Sequence, residues 1–351
     1  MRYTALGRRT GLRVSEYGLG TANFGTGWGG GTDLPGARKI LDRFRDAGGT
    51  LVDTADCYNF GEAETILGAL LAADRDEVVL ASKYTCSASP RPGVGETGNG
   101  RRAMVRSVEA SLRRLGTDRL DLYWCHFADP LTPAEEILAA FDDLVRAGKV
   151  LHVGLSNFPA WRVSRAATLA DLRGLTPVVA VQLEYSLVER TAERELLPMA
   201  EALGLGVALW SPLGGGLLTG KYRTTAEGRL TDWRRAVHVE STPEKTAVLD
   251  AVLAVAAEVG ARPAHVAMAW LRHRGGLAAT PFVPIIGPRD VAQLDDYLAA
   301  LQLTLTPQQV ARLDAAGAPA LGVPHEFGPN IRASVLGHEA ESVVRPLIPV
   351  A

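Results

Sequence analysis

Eight short apolar runs, each followed by a segment of helical character, constrain the fold of this chain more than any other feature. Most runs begin roughly thirty residues apart, the length of one strand–helix unit. Such alternation predicts parallel strands joined by right-handed crossovers. Eight strands favour an α/β fold of the closed (β/α)8 TIM-barrel type over an open doubly wound sheet. The predicted strands cover residues 17–22, 50–53, 78–83, 120–126, 150–156, 178–183, 205–210 and 282–286.

The segments between the runs carry the apolar spacing of helices that pack one face against a sheet. In the first segment, Ile40, Leu41 and Phe44 share a face, and Gly48-Gly49 provides a stop signal. The one long gap must hold a loop at 211–242 and more than one helix. The predicted helices cover residues 36–47, 62–72, 100–115, 133–147, 158–170, 192–203, 245–259 and 262–273.

Both ends of the chain are expected to add to the barrel. Residues 3–6 and 12–15 are strand-like segments joined through Arg9-Thr10-Gly11, and they predict an N-terminal β-hairpin. The stretch from about 317 to 351 has little pattern and is predicted to be a C-terminal tail over the barrel mouth. Because no linker, repeat or low-complexity boundary divides the chain, residues 1–351 are expected to form a single domain.

Composition excludes several classes of protein. Net charge is −2, which gives no electrostatic footprint for nucleic acid or an anionic membrane. No apolar stretch has the length of a membrane span, and the N-terminus lacks the apolar region of a signal peptide. Three cysteines without C-x-x-C spacing indicate neither a disulfide framework nor a zinc knuckle. We therefore expect a cytoplasmic, reduced protein.

Four polar residues lie at or just past the ends of successive predicted strands. Asp53, Lys83 and His126 end or follow the second, third and fourth runs, and Tyr58 lies in the loop that leaves the second. In a barrel of parallel strands, all four side chains gather at the carboxyl-end face, where such barrels carry out chemistry. A phenol, an ammonium, a carboxylate and an imidazole in one place suit a proton-transfer site.

Two glycine-rich stretches resemble nucleotide motifs but do not complete them. Gly18-Leu19-Gly20 lacks the third glycine of the Rossmann fingerprint. Residues 215–222 match G-x-x-x-x-G-K, yet Tyr222 stands where a P-loop needs Ser or Thr for magnesium. Backbone amides of this loop still suit a phosphate. Arg289, in the first turn of a helix after the eighth strand, predicts a second anion site. The two sites together suggest a ligand with a pyrophosphate and a separate phosphate.

Taken in order, these residues resemble the aldo-keto reductase superfamily from about residue 2 to residue 300. The resemblance implies a (β/α)8 barrel that binds NADP(H) in extended form and reduces a small carbonyl substrate without a metal. The matching stretches are Gly18-Leu19-Gly20-Thr21, Val52-Asp53-Thr54-Ala55 with Tyr58, Gly61-Glu62-Ala63-Glu64, Ser82-Lys83, Ser111-Leu112-Arg113-Arg114-Leu115, Asp121-Leu122-Tyr123 with His126, Gly154-Leu155-Ser156-Asn157-Phe158, Gln182-Leu183-Glu184-Tyr185-Ser186, Ser211-Pro212-Leu213 and Gly287-Pro288-Arg289.

The resemblance also implies a role for each site residue. Tyr58 is the proton donor, Lys83 and Asp53 activate it, and His126 orients the substrate carbonyl. Ser156, Asn157 and Gln182 hold the nicotinamide carboxamide, on whose ring Trp210 stacks. The rest of the cofactor-binding set comprises Gly20, Thr21, Ser211, Leu213, Gly216, Lys221, Gly287, Arg289, Gln293 and Asp296, with Ser211 to Lys221 at the pyrophosphate and Arg289 to Asp296 at the adenosine end.

Elementary electrostatics explains why a lysine belongs beside the tyrosine. A free phenol has a pKa near 10, about three units above neutral pH, which corresponds to roughly 4 kcal/mol. An ammonium about 4 Å away contributes an interaction of about that size at an effective dielectric constant of ~20. Burial of the phenol opposes this effect, so we expect Lys83 to outweigh burial and lower the pKa of Tyr58.

Some positions depart from the family pattern. Tyr297 stands where many relatives have an asparagine that faces the adenine, and Pro288 replaces a polar residue beside the 2′-phosphate. A preference for NADP over NAD therefore rests on Arg289. Channel β-subunits of the same architecture generally lack the histidine that corresponds to His126, so its presence favours a working enzyme.

Other hypotheses remain open at this stage. One is a regulatory module that senses NADP(H) without useful turnover, and another is a barrel lyase or isomerase without nicotinamide. Cys57 and Cys125 adjoin Tyr58 and His126, but neighbours on a strand point to opposite faces, so we expect no metal site. Substrate identity depends on variable loops, and the sequence determines neither the substrate nor the oligomeric state. Those loops are 24–33, 86–100, 222–242 and the tail with His325 and Phe327, together with Trp233.

Overall fold

Eight parallel strands close into a barrel in the computed structural model, which describes residues 1–224, 238–344 and 346–350. With strands numbered in chain order, the barrel order is β10-β3-β4-β5-β6-β7-β8-β9. The first and last barrel strands pair directly, with Ile285 beside Gly18. The barrel strands are β3 (Gly18–Gly20), β4 (Leu51–Asp53), β5 (Val79–Tyr84), β6 (Leu120–Cys125), β7 (Val150–Ser156), β8 (Val178–Glu184), β9 (Gly206–Trp210) and β10 (Phe282–Ile286).

An antiparallel hairpin closes the amino end of the barrel. It consists of β1 (Tyr3–Ala5) and β2 (Arg13–Ser15). Leu6 and Val14 are fully buried in the same apolar cluster as inward-facing strand residues. Gly7 bridges to Leu205, which directly precedes β9, and its φ of 93° lies in the left-handed region that glycine tolerates. The N-terminal residues thus form the floor of the barrel.

Helices surround the strands and bury one face each against them. The helices of at least eight residues are α1 (Leu34–Asp46), α2 (Glu62–Leu71), α3 (Arg101–Leu115), α4 (Ala134–Arg146), α5 (Ala160–Arg173), α6 (Leu196–Leu203), α7 (Pro243–Val259), α8 (Pro263–Leu277), α9 (Val291–Ala299) and α10 (Pro307–Ala316), counted within the described residues. In α1, Ile40, Leu41 and Phe44 are buried as predicted. The Asp33 side chain caps the start of this helix by accepting from the Gly36 amide.

The predicted α/β barrel with an N-terminal hairpin is confirmed, and all eight predicted strands are present with small shifts at their ends. The predicted helix 192–203 begins later, at Leu196, because Pro198 suits the first turn of a helix. The sequence analysis missed α10, although Thr306 and Gln309 form a capping box at its start. Trp233 lies outside the described residues.

The C-terminal tail lies against the loop that leaves β8. Arg194 donates to the Val323 carbonyl, and His325 lies 2.9 Å from Glu195. Short helical turns punctuate the tail at Gly328–Ile331, Arg332–Leu336 and Ala340–Ser342. Among the described helices, none combines the length and apolarity needed to cross a bilayer.

Candidate active site

The structure brings together the four residues predicted to carry the chemistry. Asp53 is the last residue of β4, Lys83 lies near the end of β5, and His126 directly follows β6. Tyr58 begins a short 3-10 turn after β4. The Lys83 ammonium donates to Asp53 Oδ2 at 2.5 Å, to the Thr54 carbonyl at 2.7 Å and to the Tyr58 hydroxyl oxygen at 3.0 Å. All the hydrogens of the buried ammonium therefore have acceptors.

Burial and ion pairing shift the pKa of Lys83 in opposite directions. Its side chain is fully buried, and burial alone disfavours the charged form. The negative charge of Asp53 and the hydrogen bond to Tyr58 outweigh burial and raise the pKa of Lys83 above its ordinary value. Lys83 is consequently a cation at neutral pH, and Asp53 is its counter-ion.

The pKa of Tyr58 does not follow the sequence-based expectation. Burial raises the pKa of Tyr58 to about 12, and the nearby Lys83 charge opposes this rise without overcoming it. The expected net lowering by Lys83 is therefore wrong for this structure. The physical reason is that the hydroxyl oxygen lies deep beside Lys83, where loss of water penalises the phenolate strongly. At neutral pH Tyr58 keeps its proton.

His126 is held close to the phenol and stays neutral. The rings of Tyr58 and His126 lie edge to face with centroids 5.9 Å apart. Burial, helped by the charge of Lys83, lowers the pKa of His126 well below its usual range. A neutral imidazole retains one N–H donor at pH 7. The site thus presents two proton-bearing groups, a phenol and an imidazole, to one cavity.

A hydrogen-bond network links the ends of the later strands to this group. Asn157, with φ of 54°, donates to the His126 carbonyl at 2.9 Å and accepts from the Trp210 indole at 3.1 Å. Asparagine tolerates the left-handed region better than most residues do. Gln182 donates to Asp53 Oδ1 at 3.0 Å, so both carboxylate oxygens are occupied. The network fixes the positions of the polar groups before any ligand binds.

One cavity of about 580 Å³ connects these residues to the loops after β9 and β10. All the predicted site residues line it except Thr21, Lys83 and Ser156, which are fully buried behind its wall. Thr21 donates to the Asp53 carbonyl, and Ser156 accepts from the Asn157 amide. The sequence analysis missed several lining residues, among them Asn23, Phe127, Arg262 and Met268.

The loop after β9 has the shape of an anion cradle. Gly214, Gly215, Gly216 and Gly220 all have positive φ. A Cβ added to Gly216 would lie 3.2 Å from the Tyr222 hydroxyl and 3.3 Å from Lys221 Cε, so a side chain there would crowd the cavity wall. Successive amides in such a conformation can bind phosphate oxygens.

A second cationic region lies at the far end of the cavity. Arg289 lines this end, but it precedes α9 and is not in the first turn as predicted, because Asp290 caps the helix by accepting from the Gln293 amide. Asp296 is not a free anion, because Arg262 and His265 contact its Oδ1 at 2.9 Å and 2.7 Å. This pairing offsets the negative charge of Asp296 close to Arg289. The cavity therefore suits a ligand with anionic groups at both places.

A profile of the Aldo/keto reductase family matches residues 16–318. This span contains all the residues that line the cavity. The chain belongs to the aldo/keto reductase family.

Individual aldo/keto reductase relatives cover most of the chain. The uncharacterized oxidoreductase YrpG of Bacillus subtilis is 41% identical over 314 residues, which are 87% of this chain and 92% of the relative. Norsolorinic acid reductase of Aspergillus flavus is 34% identical over 332 residues, or 92% and 82% of the two chains. Aryl-alcohol dehydrogenase (NADP(+)) of Phanerodontia chrysosporium is 34% identical over 383 aligned positions, or 98% and 96%. The family and these relatives assign the chain to the oxidoreductases.

Aromatic rings border Tyr58 and His126 in this aldo/keto reductase. Phe127 is 44% exposed and stacks on His126 with ring centroids 4.4 Å apart. Trp28 lies edge to face with Tyr58 at 5.8 Å and with Phe60 at 6.4 Å. The sequence analysis identified 24–33 as a specificity loop but did not single out Trp28 or Phe127.

Sequence reasoning also missed Cys86. It follows β5, and its sulfur lies with Cys57 Sγ and a ring nitrogen of His126 in one group whose atoms are all within 4.8 Å of one another. Cys125, in contrast, is buried and hydrogen-bonded to Thr85 and the Phe127 carbonyl. Cys86 therefore joins Cys57 and His126 from a neighbouring strand, a position that alternation along one strand does not reveal.

Proposed function

We propose that this aldo/keto reductase uses NADPH to reduce an aromatic aldehyde or ketone to an alcohol. Tyr58 is the general acid, Lys83 and Asp53 position its proton, and His126 orients the carbonyl. The observation that carries the proposal is the 3.0 Å contact between Lys83 Nζ and the Tyr58 hydroxyl at the cavity wall. A buried lysine whose ammonium donates three hydrogen bonds contributes little to apolar packing. Its charge beside a phenol instead suits proton transfer.

The cavity lining supports a dinucleotide with an additional phosphate. Asn157 and Trp210 would hold the nicotinamide end, the Gly216 loop with Lys221 the pyrophosphate, and Arg289 the 2′-phosphate. The positive φ values around Gly216 and the crowding that a Cβ would cause there fit a backbone that approaches its ligand closely. When bound, the reduced cofactor supplies a hydride to the carbonyl carbon.

The chain's own residues supply the proton and the orientation. As negative charge develops on the carbonyl oxygen, Tyr58 donates its phenolic proton, and Lys83 stabilises the phenolate that remains. His126 is neutral, and its N–H is a second donor to the same oxygen, beside the Tyr58 hydroxyl. Asp53 keeps Lys83 charged and in place, held in turn by Gln182.

The substrate class follows from the rings at the cavity. Phe127 lines the cavity and stacks on His126, and Trp28 lies edge to face with Tyr58 beside it. Aromatic pairs contribute about 0.5–1.5 kcal/mol beyond the area that they bury, so an aryl carbonyl gains more here than a short aliphatic one. The names of two relatives, an aryl-alcohol dehydrogenase and norsolorinic acid reductase, support the same class.

The decisive experiment measures NADPH oxidation with a panel of aryl and aliphatic carbonyl compounds. We expect turnover with aryl aldehydes, and we expect Tyr58→Phe to lower kcat by about 10²- to 10⁴-fold while NADPH binding is retained. Tyr17→Phe is the matched control, because the buried Tyr17 hydroxyl has no hydrogen-bond partner within the described residues. Unchanged turnover in Tyr58→Phe would refute the proposal, and cofactor binding without turnover on any carbonyl would favour a regulatory module.

A further inference from the structure

Three potential metal ligands lie together beside the catalytic tyrosine. Cys57 follows β4, Cys86 follows β5 and His126 follows β6, so adjacent strands deliver them to the same face of the barrel. Their ligand atoms all lie within 4.8 Å of one another, and Cys57 Sγ is 3.9 Å from His126 Nδ1. The proposed reduction uses only the histidine of this group.

The spacing of these atoms approaches that of a tetrahedral zinc site. With Zn–S of about 2.3 Å and Zn–N of about 2.0 Å, ligand atoms around zinc are separated by roughly 3.5–3.8 Å. The 3.9 Å distance between Cys57 Sγ and His126 Nδ1 is already close to this range. Any pair of ligand atoms at the 4.8 Å limit would need to approach by about 1 Å to reach it. Two thiolates and one imidazole are also ligands that zinc prefers, with the fourth position left to water.

The surroundings favour a cation at this place. Asp56 is buried, and its Oδ1 has no hydrogen-bond partner within the described residues. Lys83 is the nearby positive charge, and it forms an ion pair with Asp53 at 2.5 Å.

We propose that Cys57, Cys86 and His126 form a binding site for Zn²⁺ or a similar thiophilic divalent ion, and that occupation of this site inhibits carbonyl reduction. The two thiols each release a proton to water as their sulfur atoms bind the ion, and no group is oxidised or reduced. This inference departs from the expectation of no metal site, which considered only Cys57 and Cys125.

Inhibition follows from the position of the imidazole, and this part of the inference rests on the proposed function. Coordination draws His126 toward the two sulfur atoms and away from the carbonyl that it would orient. Loss of one donor to a developing oxyanion typically lowers kcat by about 10²- to 10³-fold. Saturation with zinc should therefore remove most of the activity.

The binding test uses Co²⁺ as a spectroscopic probe of the purified full chain, freed of metal by chelation and kept reduced with a phosphine. We expect one Co²⁺ per chain, a thiolate-to-cobalt charge-transfer absorption, and displacement by Zn²⁺. Cys86→Ser and Cys57→Ser should each weaken Co²⁺ binding by about tenfold or more, because each removes one of three ligands. Cys125→Ala is the matched control and should bind as the wild type does.

The activity test compares zinc sensitivity with and without Cys86. Without zinc, Cys86→Ser should turn over as the wild type does, and it should resist zinc concentrations that inhibit the wild type. Absence of the charge-transfer absorption, or unaltered Co²⁺ binding in both cysteine variants, would overturn the proposed site. The absorption does not depend on catalysis, so a chain that binds Co²⁺ through thiolates yet reduces no carbonyl would refute the proposed function while supporting the metal site.

Discussion

The Nζ atom of Lys83 and the hydroxyl oxygen of Tyr58 lie 3.0 Å apart at the carboxyl-end face of the barrel. They come from different strand–loop units, and Asp53 holds the lysine from its other side at 2.5 Å. Lys83 and Asp53 are both buried, so their mutual charge compensation matters for stability as well as for chemistry.

Removal of one member of the buried ion pair should destabilise the fold. Lys83→Met or Asp53→Asn alone should each lower the free energy of unfolding by about 3 kcal/mol or more, because the partner charge or its hydrogen bonds remain buried and uncompensated. The double variant should lose less than the sum of the two and remain inactive. Denaturant unfolding of all four proteins measures this coupling.

The exposed pair of Arg43 and Asp295 provides the control for that cycle. Its side chains are 40% and 48% exposed, so the same double-mutant cycle should give about 1 kcal/mol or less. Equal coupling energies for the buried and the exposed pair would contradict the role assigned to burial.

The pH dependence of carbonyl reduction should follow Tyr58. Reduction needs the protonated phenol, whose pKa is raised to about 12, so kcat/KM should be flat through neutral pH and fall only as strongly alkaline pH approaches that value. His126 is neutral throughout this range, because its pKa is lowered well below the usual value. A pH–rate profile from pH 6 to 10 tests this expectation, and a midpoint between pH 6 and 8 would contradict it.

Phe127→Ala should change substrate preference. The variant loses an exposed ring next to His126, so kcat/KM for an aryl aldehyde should fall by about 3- to 10-fold, equivalent to roughly 0.5–1.5 kcal/mol. A short aliphatic aldehyde assayed with the same variant is the internal control and should change less. Equal losses for both substrates would argue against a role of Phe127 in aryl recognition.

Arg289→Met should weaken NADPH binding selectively. Loss of a hydrogen bond to a charged phosphate costs about 1.5–3 kcal/mol, so the Kd for NADPH should rise roughly 10- to 100-fold while that for NADH changes little. Arg43→Met, which alters an arginine that contacts the same helix α9 outside the cavity, serves as the control. Fluorescence titration measures both constants, and a parallel loss for NADH would contradict a 2′-phosphate contact.

The sequence was informative wherever a local pattern determines position. Strand ends can be read from apolar runs, so Asp53, Lys83 and His126 were correctly placed at one face. The position of the glycine-rich loop around Gly216 could also be predicted, because its residues are consecutive in the sequence.

Features that depend on depth or on distant contacts were not predictable in this way. The direction of the Tyr58 pKa shift depends on how completely its hydroxyl is removed from water, which no local pattern reports. Arg262 reaches the cavity only because α8 and α9 pack together and bring it to Asp296. Cys86 approaches Cys57 through the lateral pairing of β4 and β5, a relationship between separate segments.

Closure of the barrel depends on one late segment. Residues 282–286 pair with β3 near the start of the chain and with β9, so both of those strands keep an open edge until this segment is in place. On a ribosome, the chain must therefore be made through residue 286 before the sheet has no free edge, and unpaired edges invite association between chains. Truncated translation products that end before residue 282 should accordingly aggregate instead of accumulating as smaller active enzymes.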